Sequence, residues 1–171
     1  MRGRPGSGKS TAAQIARQRL SEVGLRVAGI VTPEVRVGRS RVGFEVVDLA
    51  TGRRATFAHV DIPSETRVSK YGVSIELFEQ VAVPALEAAL KADVALVDEI
   101  GKMELFSDLF KSLVVRLLDS DVPVIGTAPF YDLPFLRNVL KRGDVRVIWV
   151  RRGEAERVAE TLTGEVMRLV R

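Results

Sequence analysis

The chain has no cysteine, one histidine and one tryptophan, and each scarcity closes off a class of protein. Without thiols there is no disulfide framework, no thiolate zinc site and no cysteine nucleophile. His59 alone cannot build a histidine-rich metal centre. No apolar run approaches the roughly 20 residues of a membrane span, and Met1 to Pro5 holds nothing like the apolar core of a signal peptide. A cytoplasmic protein without a membrane partner is therefore expected. Amides are scarce too, Asn138 being the only asparagine, while charged residues reach 28%. That bias leans towards a thermophilic source, where thermolabile amides are reduced and ion pairs favoured.

What is present suffices for one domain covering residues 1–171. Apolar residues make up 46%, enough to bury a core without a disulfide or structural metal. The net charge of +4 comes from dispersed basic residues. It suits an anionic nucleotide as well as a polynucleotide, so no obligatory nucleic-acid partner is expected. No residue pattern fixes an oligomeric state.

The spacing predicts a helix over Lys9 to Val23, closed by Gly24, then a strand over Arg26 to Thr32. Residues Glu34 to Val60 alternate apolar and polar, with breaks at Gly38-Arg39-Ser40 and Thr51-Gly52. This reads as a meander of short antiparallel strands. A second helix is expected from Ser74 to Lys91, broken or kinked at Pro84. Val94 to Val97 and Val122 to Gly126 read as buried strands, with a helix between them from Leu105 to Ser120. A short helix (Phe135 to Arg142), a strand (Val145 to Val150) and a terminal helix (Gly153 to Arg171) complete the chain. Apolar strands between helices give an α/β fold, a mainly parallel sheet with an antiparallel insert.

Gly3-Arg4-Pro5-Gly6-Ser7-Gly8-Lys9-Ser10 fits G-x-x-x-x-G-K-[ST] throughout, with Thr11 following. Small residues let the backbone curl until its N–H groups face a phosphate, and the helix beginning there adds the positive end of its dipole. Gly3 to Thr11 are thus the candidate nucleotide-binding residues. Lys9 is expected at the β- and γ-phosphates and the Ser10 hydroxyl on Mg²⁺. The bland reading is a glycine-rich turn with an incidental lysine; a chain of this length matches by chance in about one sequence in a hundred.

The second motif is a buried strand ending in Asp98 and Glu99. At the edge of a sheet Asp98 can hold magnesium through its water shell, and Glu99 can orient or deprotonate the attacking water. Two solvated acids on an ordinary strand end would be the better reading of this run alone, and the P-loop upstream tips the balance. Lys102 can offset charge developing on the γ-phosphate or simply be solvated. Arg137, Lys141 and Arg142 can close over the phosphates or cover a surface. Thr127 can sense the γ-phosphate from a neighbouring strand. Phe130, Tyr131 and Trp149 are candidate stacking partners for a base, or packing. His59 reads as structural.

These motifs and their neighbours, among them Thr32 to Arg36, Arg41 to Phe44, Asp48 to Gly52, Lys70 to Val73 and Asp98 to Leu105, resemble the thermophile-type P-loop nucleoside-triphosphatases. The likeness is dense from residue 3 to about 107 and looser beyond Thr127. It implies a RecA-like three-layer α/β/α sandwich that hydrolyses ATP, GTP and other triphosphates with little base preference. It also implies Lys9 and Ser10 at phosphate and magnesium, Asp98 and Glu99 at metal and water, and Lys102 in charge stabilisation. One departure stands out. A P-loop ordinarily follows a buried central strand, yet only Met1 and Arg2 precede Gly3. A missing first strand, or a translation start upstream, is the expectation here, with weakened anchorage of the loop. Two other functions compete: a nucleotide or small-molecule kinase, and a slow nucleotide-dependent switch associated with RNA.

Overall fold

Strands buried on both faces need continuous apolar runs, and Val94–Asp98 has one. A computed structural model describes residues 1–170. It begins with β1 (Arg2–Gly3), α1 (Lys9–Glu22), β2 (Val27–Val31), β3 (Glu34–Val37), β4 (Ser40–Asp48) and β5 (Arg54–His59). There follow β6 (Arg67–Val68), β7 (Tyr71–Val73), α2 (Ile75–Ala89) and β8 (Val94–Asp98). A 3₁₀ turn at Glu104–Phe106, α3 (Asp108–Asp119), β9 (Val124–Gly126), β10 (Ala128–Pro129), α4 (Pro134–Leu140) and α5 (Ala155–Leu169) close the order.

The main sheet runs β6-β7-β5-β4-β2-β8-β9, with β3 on β4. β2, β8 and β9 pair in parallel, and β8 ends at the acid pair, while the pairs from β2 to β4 onward are antiparallel. The antiparallel strands continue the same sheet across β4 rather than hanging from it. Alternation along β8 divides the core. Val94 and Leu96 pack with Ala13, Ala16 and Leu20 of α1, and Ala95 and Val97 with Phe78 and Leu86 of α2 and Phe110 of α3. Burying each of the larger side chains contributes about 1.5–3 kcal/mol. With α1 and α5 on one face and α2 and α3 on the other, the three layers are complete. No helix among the described residues is long and apolar enough to cross a membrane.

Three expectations are corrected. α2 runs unbroken through Pro84. This proline is exposed, so the carbonyl deprived of its donor can turn to water. The third helix starts three residues later than expected, because Ser107 caps it: its Oγ accepts from the Phe110 N–H at 3.1 Å. Val145 to Val150 forms no strand, only a bridge from Trp149 to Arg2. Its parallel ladder needs a neighbour longer than β1. The terminal helix ends at Leu169, and Arg171, expected within it, lies outside the described residues.

The first strand is present in miniature. β1 pairs in parallel with β10, Arg2 to Ala128 and Gly3 to Pro129. Beyond Met1 lies an apolar trough of about 470 Å³, walled by Val124 to Ala128 on one side and Val145 to Ile148 on the other. The Met1 ammonium donates to the Gly126 carbonyl at 2.6 Å. Burial, aided by the charge of Lys9, pushes that amine down to about 6.

Candidate active site

The loop between β1 and α1 is shaped by backbone only glycine adopts freely, with φ +76° at Gly6 and +102° at Gly8. A Cβ at Gly3 would stand 2.5 Å from Ser7 Oγ and 2.6 Å from the Val150 carbonyl. The Ser7 hydroxyl is buried with no protein partner. Lys9 folds back and donates from Nζ to the Gly3 carbonyl at 2.7 Å, which holds the cationic head over the curl of the loop.

Parallel pairing of β2 with β8 carries Asp98 and Glu99 to the edge where the loop opens. Ser10 donates to Asp98 Oδ1 at 3.2 Å. Thr127, wholly buried, donates to the same oxygen at 2.5 Å. Two hydroxyls from different elements thus fix this carboxylate. The Asp98–Glu99 peptide bond is cis. Burial pushes the Glu99 carboxyl up from its ordinary range, opposed by the charge of Lys9 and assisted by that of Asp98. A cavity of about 440 Å³ gathers Arg4 to Thr11, Asp98, Glu99 and Lys102. The structure therefore brings together every candidate from the P-loop and the strand end except Gly3, which lies beneath the loop.

Glu104 sits behind Glu99. Both carboxyls crowd Gly101, where a Cβ would be 2.5 Å from Glu99 Oε1 and 3.2 Å from Glu104 Oε2. Burial, then the charge of Glu99, pushes Glu104 up to about 8. Thr32 Oγ1 lies 3.1 Å from the Asp98 carbonyl and 3.2 Å from Glu104 Oε1. One hydroxyl proton cannot serve both acceptors fully. Thr32 therefore shares its proton between the Asp98 carbonyl and the Glu104 carboxyl.

The chain matches the NTPase family model over residues 1–163. It belongs to that family. It is 41% identical to the nucleoside-triphosphatase THEP1 of Korarchaeum cryptofilum over 170 residues, covering 99% of this chain and 86% of that one. To the protein of the same name from Methanothermobacter thermautotrophicus it is 45% identical over 157 residues, 91% and 88% of the two chains. The crystal structure of THEP1 from the hyperthermophile Aquifex aeolicus superposes with a TM-score of 0.84 at 30% identity, covering 96% of both chains. The solution structure of a human cancer-related nucleoside triphosphatase gives 0.83 at 34% identity, over 98% of this chain and 95% of that one. NTPases of this kind act on nucleotides with a divalent metal. Hydroxyl and carboxylate oxygens from Ser10 and Asp98, facing one another across 3.2 Å, fit a hard cation.

Within this NTPase frame some residues stand where no role was expected. Thr32 and Glu104 buttress the acids, and Arg41 lines the far wall of the cavity. Its guanidinium bonds Tyr71 Oη at 2.9 Å and Glu34 at 3.1 Å, and lies 5.2 Å from the Phe44 ring centroid. A buried Glu one turn beyond a strand-end acid pair is the signal that would have found Glu104. Arg41 offers none, since arginine is common throughout this chain. Thr127 bonds Asp98 directly, so its place is beneath that carboxylate. Arg137 pairs with Asp132, and Arg142 with Asp119 and Asp144. Neither they nor Lys141 reach the cavity. His59 accepts from the Asp61 N–H at 3.0 Å, a structural role as expected.

Proposed function

We propose that this chain hydrolyses nucleoside triphosphates, ATP, GTP and others alike, to diphosphate and phosphate with Mg²⁺, and that Glu99 activates the water. The observation that carries this reading is the position of Glu99. Its carboxyl faces the same cavity as Lys9 and Ser10, partly withdrawn from solvent and more basic for it. Kinase chemistry must keep water inactive, and the arginines that would form a lid are tied to surface carboxylates.

The residues divide the work. Backbone N–H groups of Gly6 to Ser10 enclose the phosphate chain, and Lys9 exchanges its Gly3 carbonyl for β- and γ-phosphate oxygens. Ser10 and Asp98 would hold Mg²⁺, and the ion would supply charge neutralisation on the phosphate chain. Glu99 takes the proton of a water whose oxygen attacks the γ-phosphorus. The bond from that phosphorus to the β-phosphate oxygen breaks, and the electron pair leaves with the diphosphate. Lys102 lies exposed on the same cavity and would offset charge on the transferred group.

Phosphate release from ATP, GTP, CTP and UTP with Mg²⁺ and no acceptor tests this. The parent releases phosphate from all four; Glu99→Gln binds nucleotide but turns over roughly 100- to 10,000-fold more slowly. A Glu99→Gln enzyme working at the parent rate removes Glu99 from the mechanism. Release only when an acceptor is added restores the kinase reading.

A further inference from the structure

The phosphate loop is flanked by a second cavity, of about 560 Å³, which shares Arg4 to Ser7 and Phe130 with the first. The two differ in chemistry. The first holds Asp98, Glu99 and Glu104. The second is lined by Arg4, Arg151 and Arg152 with the rings of Phe130 and Trp149, and by no carboxylate. A triphosphate whose reacting end faces Glu99 and Lys102 must leave the loop on the other side, and this is the room it meets there.

That room is built rather than incidental. Trp149 is 52% exposed and Phe130 40%, so much of each ring stays open beyond the one guanidinium that lies over it. Their backbones are nonetheless fixed to the strand that feeds the loop. Arg2 N–H donates to the Ile148 carbonyl at 2.9 Å, and Val150 N–H donates to the Arg2 carbonyl at 2.8 Å, clamping Trp149 between them. The Arg2 guanidinium lies 5.0 Å from the Trp149 ring centroid and donates to the carbonyls of Pro129 and Tyr131 at 3.1 and 3.0 Å. Phe130, between those two residues, carries the Arg4 guanidinium at 5.4 Å from its ring centroid. One residue thus ties both aromatic walls to the phosphate loop.

We propose that this second cavity is the nucleoside subsite, and that Trp149 and Phe130 hold the base by stacking while Arg151 and Arg152 face the sugar and α-phosphate. The proposal rests on the hydrolase reading for the direction of the phosphate chain. Stacking accepts any π face, and no Asn, Gln, Asp or Glu side chain lines the cavity to read a base edge. The enzyme requires a base without choosing among the four.

Trp149 is the sole tryptophan, so its emission reports the subsite directly. Nucleoside diphosphates of all four bases, with binding followed in parallel by calorimetry, quench Trp149 fluorescence. Tripolyphosphate competes with them for the loop and leaves the emission unchanged. In steady-state assays Trp149→Ala raises KM for all four triphosphates about tenfold or more with kcat retained, and Trp149→Phe restores most of the loss. Unchanged emission at calorimetric saturation overturns the proposal, as does a KM raised by Phe44→Ala and not by Trp149→Ala, which moves the base to the first cavity. Calorimetry that finds no diphosphate bound overturns it as well. A parent that binds and quenches but releases no phosphate sinks the hydrolase reading alone.

Discussion

Glu104 shows how far a single buried carboxyl can organise a site. Burial and the charge of Glu99 favour its protonated form, and it accepts from Thr32, whose hydroxyl also reaches the Asp98 carbonyl. Its pKa rises from 4.5 to about 8 on folding. The folded protein therefore binds more protons than the unfolded chain between those limits. The resulting stabilisation is complete below pH 4.5 and is lost as pH climbs through 8. In Glu104→Gln the side chain stays neutral, and its amide oxygen can accept from Thr32, at every pH. The melting temperature of the parent relative to this variant is thus expected to fall between pH 5 and pH 9, and a constant difference would remove Glu104 from the titration. Lys9, Ser10, Asp98 and Glu99 could be named from the sequence, because the P-loop spacing and an acid pair at a strand end mark them, and the fold brings them to one cavity. Thr32, Glu104 and Arg41 could not, since each acquires its role from partners some 30 to 70 positions away, such as Tyr71 for Arg41 and Thr32 for Glu104.

At the scale of elements, the segment joining β8 to α3 deserves the closest reading for stability. Ser107 caps α3 and also donates to Glu79 Oε2 of α2 at 2.8 Å, so one side chain fixes the helix start and its docking. Ser107→Ala is expected to cost about 1–2 kcal/mol, read as a lower denaturation midpoint at unchanged slope. Turnover should fall as well, because the 3₁₀ turn bearing Glu104 ends at this cap. Strand and helix periods foretold α1, β2, the β3-β4-β5 meander and β8 within a residue or two. They failed at Val145 to Val150, where the apolar run is real but its ladder partner is two residues long.

Across the whole molecule, the phosphate loop is the joint between the β1-β10 ladder and the layer of α1 and α5. A ligand gripping that loop ties the two together. Diphosphate with Mg²⁺ at about 100 times its Kd should therefore stabilise the protein by about 2.7 kcal/mol, seen as a raised melting temperature. Lys9→Ala should lose that response while melting near the parent when ligand is absent. The ammonium of Lys9 already has an acceptor 2.7 Å away in the Gly3 carbonyl. On the proposed mechanism, departure of the product would therefore leave the cation with an acceptor. Each turnover would hand the ammonium from the carbonyl of the loop's own first residue to phosphate oxygens and back.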